Sequence, residues 1–351
     1  MINKSEMVLE STKLVNTYGT VASAIYASSG SKVTTVDVDM SGLEGPDDCN
    51  FENSGVIVGE LADSFIITNS IFSDNECSYV YSDRSDVVVT NSTFTGGKLN
   101  PYINMKGANL RLTNATLEEA VQDLKTFGRG VKCEDCLTVE IETSTFRGLR
   151  AYQGGAVYLK DSLSGLFTDN TFDQNLAKQG GAVFVQNSEL VVQNNTFFAN
   201  QARGSLNETV TRNMLSYIKD IGAGGAVFFT CTDLTDPLGR FVTTKREEDE
   251  DCDPNKDPKC NRLDDEVSTD GVILDIIDNT ICDLSISNST FKANWAEEAG
   301  STIFYTNKNV TAQNNTQECT ENCDISPPDK LKFKIETTYD TDEIVTTPEF
   351  L

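Results

Sequence analysis

Apolar and polar positions along the chain fall into a repeating frame. Seven times a short polar run closes on a large apolar residue: TNSIF at Phe72, TNSTF at Phe94, TNATL at Leu117, ETSTF at Phe146, TDNTF at Phe172, QNNTF at Phe197 and SNSTF at Phe291. The first six anchors follow one another at intervals of 22, 23, 29, 26 and 25 residues. A period in this range marks a chain that stacks one supersecondary unit on the next, because a single unit cannot bury its own apolar face. The frame therefore predicts an all-β solenoid of about ten coils, each resting on its neighbours.

Aligned on the anchors, the copies give columns with a physical meaning. One residue before the anchor stand Ile71, Thr93, Thr116, Thr145, Thr171, Thr196 and Thr290, a β-branched column suited to a pleated strand. Three residues before it stand Asn69, Asn91, Asn114, Thr143, Asp169, Asn194 and Asn288. Amides repeated at the strand spacing of roughly 4.8 Å can hydrogen-bond along the stack, so Asn69, Asn91, Asn114, Asn194 and Asn288 are predicted to form a structural ladder. Phe72, Phe94, Phe146, Phe172, Phe197 and Phe291 are predicted to point inward as one column, each buried ring contributing roughly 2–3 kcal/mol.

A second frame alternates with the first: GGAVYL from Gly154, GGAVFV from Gly180 and GGAVFF from Gly224, with AGSTIFY from Ala299 as a degenerate copy. Paired glycines before an apolar strand suit a corner that needs positive φ or close backbone approach. Asn75, Asn175, Asn200 and Asn294 each lie three residues after their Phe and complete an FxxN element. The alternation of GGA plus an aliphatic residue with FxxN resembles the repeat of the chlamydial polymorphic membrane proteins and related β-helix regions of the pectin-lyase-like superfamily. The resemblance spans roughly residues 16–324, with both motifs clear only over 140–230 and 285–305. It implies a right-handed parallel β-helix and an adhesin-like role at a cell surface. The layout expected is an N-terminal cap or remnant over residues 1–15, the helix over 16–324 with loop insertions at 203–221 and 232–270, and a C-terminal tail or linker over 325–351.

Charge narrows the partners. The 351 residues carry 28 Lys and Arg against 54 Asp and Glu, a net charge of −26. Binding to nucleic acid or to anionic membranes leans on Lys and Arg, so neither is expected here. No window approaches the roughly 18 apolar residues of a membrane span, and Lys4, Glu6, Glu10 and Lys13 break any secretory leader pattern at the N-terminus. Ten cysteines and N-x-S/T sequons at Asn3, Asn91, Asn114, Asn194, Asn207, Asn288, Asn309 and Asn314 point the other way, to an oxidising and glycosylating compartment. An NST-rich repeat also creates sequons as a by-product. Both facts fit an extracellular or cell-surface segment of a larger protein. If the ladder amides are tied up along the stack they cannot carry glycans, whereas Asn207, outside the column, can.

Two stretches leave the frame. RGSLNETVTRNMLSYIKDI, residues 203–221, spaces its apolar residues as a short helix would. Residues 232–270 are dense in acid and cannot bury enough to order themselves. There Cys252 and Cys260 are expected to close a small loop, inside which Asp253, Asn255 and Asp257 have the alternating oxygen spacing of a calcium loop. Pro258 stands where such a loop needs glycine, so a solvated acidic loop competes with calcium, the one cofactor in view. Cys133 and Cys136 form a CxxC followed by the period-2 strand LTVEIE, not by the helix a redox centre needs. The nearest second pair for zinc, Cys319 and Cys323, lies about 180 residues on, so structural disulfides are expected instead. Cys231 and Cys282 are placed to bridge the base of the large insertion.

The chain contains no histidine. That removes Ser-His and Cys-His nucleophiles and His-ligated metals together. Pectate lyases, polygalacturonases and pectin methylesterases resemble this chain in expected fold, but none of their catalytic signatures is readable. An active groove, if one exists, is expected where Arg147 and Asp173 stack on neighbouring coils beside Asp169 and Lys178; the competing reading is an ion pair along the stack, worth little at a surface. The expected function is a non-catalytic module, adhesin-like or structural, presenting its lateral face and loops to an unknown protein or carbohydrate, with a polysaccharide-acting lyase or glycoside hydrolase as the alternative.

Overall fold

The computed structural model describes residues 2–45, 49, 54–118, 126–203, 222–231, 282–297, 300, 302–305 and 310–318. They build a right-handed parallel β-solenoid of three ten-stranded sheets, with a fourth, three-stranded sheet formed by Leu176–Ala177, Gln201–Ala202 and Trp295–Ala296. One coil serves as the pattern: Val131–Glu134 lies in the first sheet, Thr138–Glu142 in the second and Thr145–Arg147 in the third. Each strand pairs in parallel with the equivalent strand of the next coil, Val131 facing Val157, Ile141 facing Phe167 and Phe146 facing Phe172.

Alternation sets which side chains enter the tube. In Thr138–Glu142 only Val139 and Ile141 are buried, because successive residues of a strand point to opposite faces. The six anchor phenylalanines are buried as expected. Their column begins lower, at Leu14 and Met40, and ends at the exposed Gln317. Leu117 divides the aromatic part: Phe72 and Phe94 stack at 5.0 Å, and Phe146, Phe172, Phe197 and Phe291 stack at 5.0, 4.8 and 4.9 Å. Next to Phe94, Tyr79 and Tyr102 add a second ring pair at 4.7 Å, filling space an aliphatic rung leaves.

The corner glycines act as the sequence demanded. Gly180 has φ +62°, and a Cβ there would lie 2.2 Å from the carbonyl oxygen of Val183. Its neighbour Gly181 would meet the carbonyl of Gly225 on the next coil at the same distance, so the pair serves left-handed backbone and close approach at once.

Residues 2–15, within the segment expected as a cap or remnant, are themselves a coil. Ile2–Asn3, Glu6–Glu10 and Lys13–Val15 pair in register with the three strands of the coil above, and Met7, Leu9 and Leu14 pack against the core. EMVLE alternates with period two, the pattern of a strand and not of an amphipathic helix. Three disulfides tie the described residues: Cys49–Cys77, Cys133–Cys136 and Cys231–Cys282. The CxxC is thus a disulfide, with both cysteines wholly buried in the core. Cys231 and Cys282 do close the base of the large insertion. The helix expected within 203–221, Cys252 and Cys260, Cys319 and Cys323, and the tail fall on residues outside those described.

Candidate functional site

The Asn column expected as a ladder exists in part and faces the solvent. Asn91 donates its side-chain N–H to Asn69 Oδ1 at 3.2 Å, and Asn114 donates to Asn91 Oδ1 at 2.8 Å. All five expected members are exposed, with φ between 50° and 56°. The position is the first of the two residues that turn the corner between the second and third strands, and Asn and Asp tolerate left-handed backbone there. The bend turns the side chain outward and the next residue inward.

The buried amides are therefore in two other columns. Asn170 and Asn195, one residue further on, accept the backbone N–H of Ser144 and Asn170 through Oδ1, both at 2.8 Å. The FxxN residues form the longer ladder. Asn175 Nδ2 donates to Asn200 Oδ1 at 2.9 Å and to the Phe146 carbonyl at 3.1 Å, and Asn200 Nδ2 donates to Asn294 Oδ1 at 3.0 Å and to the Phe172 carbonyl at 2.9 Å. Each amide satisfies backbone groups that a turn would otherwise bury unpaired.

Arg147 and Asp173 do meet, Nε to Oδ2 at 3.0 Å, and Glu118 on the coil below reaches Arg147 Nη1 at 3.9 Å. Glu118, Arg147 and Asp173 are successive rungs of one outward column of the third sheet. Asp173 is the more enclosed partner, and its Oδ1 is buried without a hydrogen-bond partner. Asp169 does not join them; it is exposed at the asparagine corner with φ 58°. Lys178 lies beyond the third sheet, its Nζ 4.8 Å from the centre of the Tyr152 ring. The four residues grouped by sequence spacing are thus a pair and two outliers. Asp253, Asn255 and Asp257 fall outside the described residues, and among the described residues no cluster of three or more His, Cys, Asp or Glu has metal-binding geometry.

A feature missed in the sequence is the outer face of the first sheet. Its strands are buried on both sides: Val58, Tyr81, Asn104, Tyr158, Phe184 and Phe228 point out of the tube yet are nearly inaccessible. Tyr158, Phe184, Phe228 and Phe304 form a second ring stack at 5.2, 5.1 and 5.0 Å. The signal was present at the fifth position of GGAVY and GGAVF. Amid this apolar column stands Lys132, paired to Glu134 at 3.2 Å and only 17% exposed. The outer faces of the second and third sheets, in contrast, are open.

Burial pushes the Tyr79 phenol well above its usual range, and a hydrogen bond to Glu60 raises that of Tyr26. Hydrogen bonds from Lys13 and then Ser41 hold the Asp39 carboxyl below its usual range.

Comparison with known proteins bears on the fold. Residues 54–232 match the family model described as right handed beta helix region. No curated protein matches the sequence. A crystal structure of a double mutant of the periplasmic alginate epimerase AlgG is similar at 11% identity and a TM-score of 0.32, over 90% of this chain and 69% of that one.

Proposed function

We propose, on the premise that this chain belongs to the right-handed β-helix family, that it is a non-catalytic module of an extracellular or cell-surface protein. It presents the open faces of its second and third sheets, and its loops, to a protein or carbohydrate partner. The observation that carries this reading is how the charged columns are used. Lys13 and Asp39 at 2.7 Å, Lys98 and Glu76 at 3.4 Å, Arg111 and Glu140 at 3.6 Å, and Arg147 and Asp173 at 3.0 Å all join neighbouring coils. A catalytic acid, base or oxyanion clamp must have its proton or charge available to a substrate, whereas these groups are turned to their own stack.

One observation favours the alternative, a polysaccharide-acting enzyme. Asp173 Oδ1, although enclosed, accepts no hydrogen bond while Oδ2 holds Arg147, an unsatisfied carboxylate oxygen beside a cation. The test is turnover on pectate, alginate and other uronate polymers, with and without calcium, read as unsaturated products or new reducing ends. We expect none. Turnover that disappears in Arg147→Ala or Asp173→Ala would establish the enzyme and sink the passive module.

A further inference from the structure

We infer that the corner of the stack carrying Asn194, Asn288 and Asn314 is a site of N-linked glycosylation. The three asparagines occupy successive coils: the backbone N–H of Asn194 donates to the Ser287 carbonyl and that of Asn288 to the Gln313 carbonyl, each at 3.1 Å. All three are exposed with φ between 50° and 56°, so each side chain projects from the corner into solvent. Their sequon threonines Thr196, Thr290 and Thr316 form one in-register column of the third sheet. None of the three side-chain amides makes a hydrogen bond among the described residues. The lower members of the same corner differ, since Asn91 donates its side-chain N–H to Asn69 and Asn114 donates to Asn91. Sequons inherited from the repeat are thus of two kinds, amides engaged in a ladder and amides open to solvent.

The donor is a lipid-linked oligosaccharide diphosphate. The asparagine Nδ2 attacks the anomeric carbon, a C–N bond forms, the bond from that carbon to the diphosphate oxygen breaks, and the nitrogen loses one proton. No oxidation state changes. At Asn194, Asn288 and Asn314 the sugar displaces only water. At Asn91 and Asn114 the attacking nitrogen must also give up its hydrogen bond to the asparagine on the coil below.

The test is secretion of the full chain from a eukaryotic host, followed by enzymatic release of N-glycans in heavy-oxygen water and peptide mapping. We expect the label at Asn194, Asn288 and Asn314 to exceed that at Asn91 and Asn114. Thr290→Val keeps a β-branched strand residue, so it should remove the Asn288 label alone and leave the melting temperature unchanged. No label at the three, or more label at Asn91 and Asn114 than at them, overturns the proposal. So does an Asn288 label that survives in Thr290→Val.

Discussion

The inward phenylalanines and the buried amides divide the work of the core at the level of single residues. Phe172 is wholly buried and stacked on both sides, 5.0 Å from Phe146 and 4.8 Å from Phe197. Its truncation opens a void that two rigid coils cannot close, and we expect Phe172→Ala to cost about 3–5 kcal/mol in urea unfolding. A loss under about 1 kcal/mol would mean that the column is not packed as described. Tyr79 gives a pH-dependent counterpart. Its phenol is buried, donates to the Thr95 carbonyl at 2.5 Å, and has its pKa raised first by desolvation and then by Tyr102. A folded value above the unfolded value of about 10 means that its contribution is intact below that pH and lost as pH rises further. Thermal melts across this alkaline range should show a shallower decline for Tyr79→Phe than for the parent chain. The substitution should cost about 1 kcal/mol at neutral pH through the lost hydrogen bond.

Among elements, the insertion after Cys231 has the clearest consequence. The first-sheet strand Val227–Thr230 and the second-sheet strand Leu284–Ser287 belong to one coil, and the disulfide between Cys231 and Cys282 joins them across the excursion. Both strands pair in register with the coils on either side, so the stack passes the insertion without a break. Replacing residues 236–268 by a short Gly-Ser linker should leave the far-UV spectrum and melting temperature nearly unchanged, because loop closure depends weakly on length. Unfolding on deletion would show that the acidic segment supports the core. If a calcium-dependent rise in melting temperature exists, the deletion should abolish it, as binding linkage requires; a rise that survives places the ion on the coils. The short strands were legible because threonine before phenylalanine recurs in one frame. Which corner residue faces inward was not legible, since a single left-handed residue reverses which neighbour points inward, and period alone does not show where such a residue stands.

Across the whole molecule, stability is a sum over rungs, and among the described residues the first and last coils have one neighbour where central coils have two. Met7, Leu9 and Val310 are only half-buried, whereas Val139, Phe146, Phe172 and Phe197 are wholly enclosed. Hydrogen exchange should therefore be slowest over residues 131–198 and fastest over 2–15, 303–305 and 310–318. Uniform protection along the chain would contradict additive coil stability. The sequence by itself determined the solenoid, the inward phenylalanines and the need for glycine at the corners, because those depend on repetition, side-chain volume and local φ. It also placed Cys231 and Cys282 at the base of a loop, since both flank the same break in the frame. Tertiary structure alone decided that Asn69, Asn91 and Asn114 look outward while Asn175, Asn200 and Asn294 look inward. It separated Asp169 and Lys178 from Arg147 and Asp173, and it buried Phe184 and Phe228 outside the tube. Each of these follows from how a corner bends and what covers a face, contacts between residues far apart in the chain that no single-sequence period records.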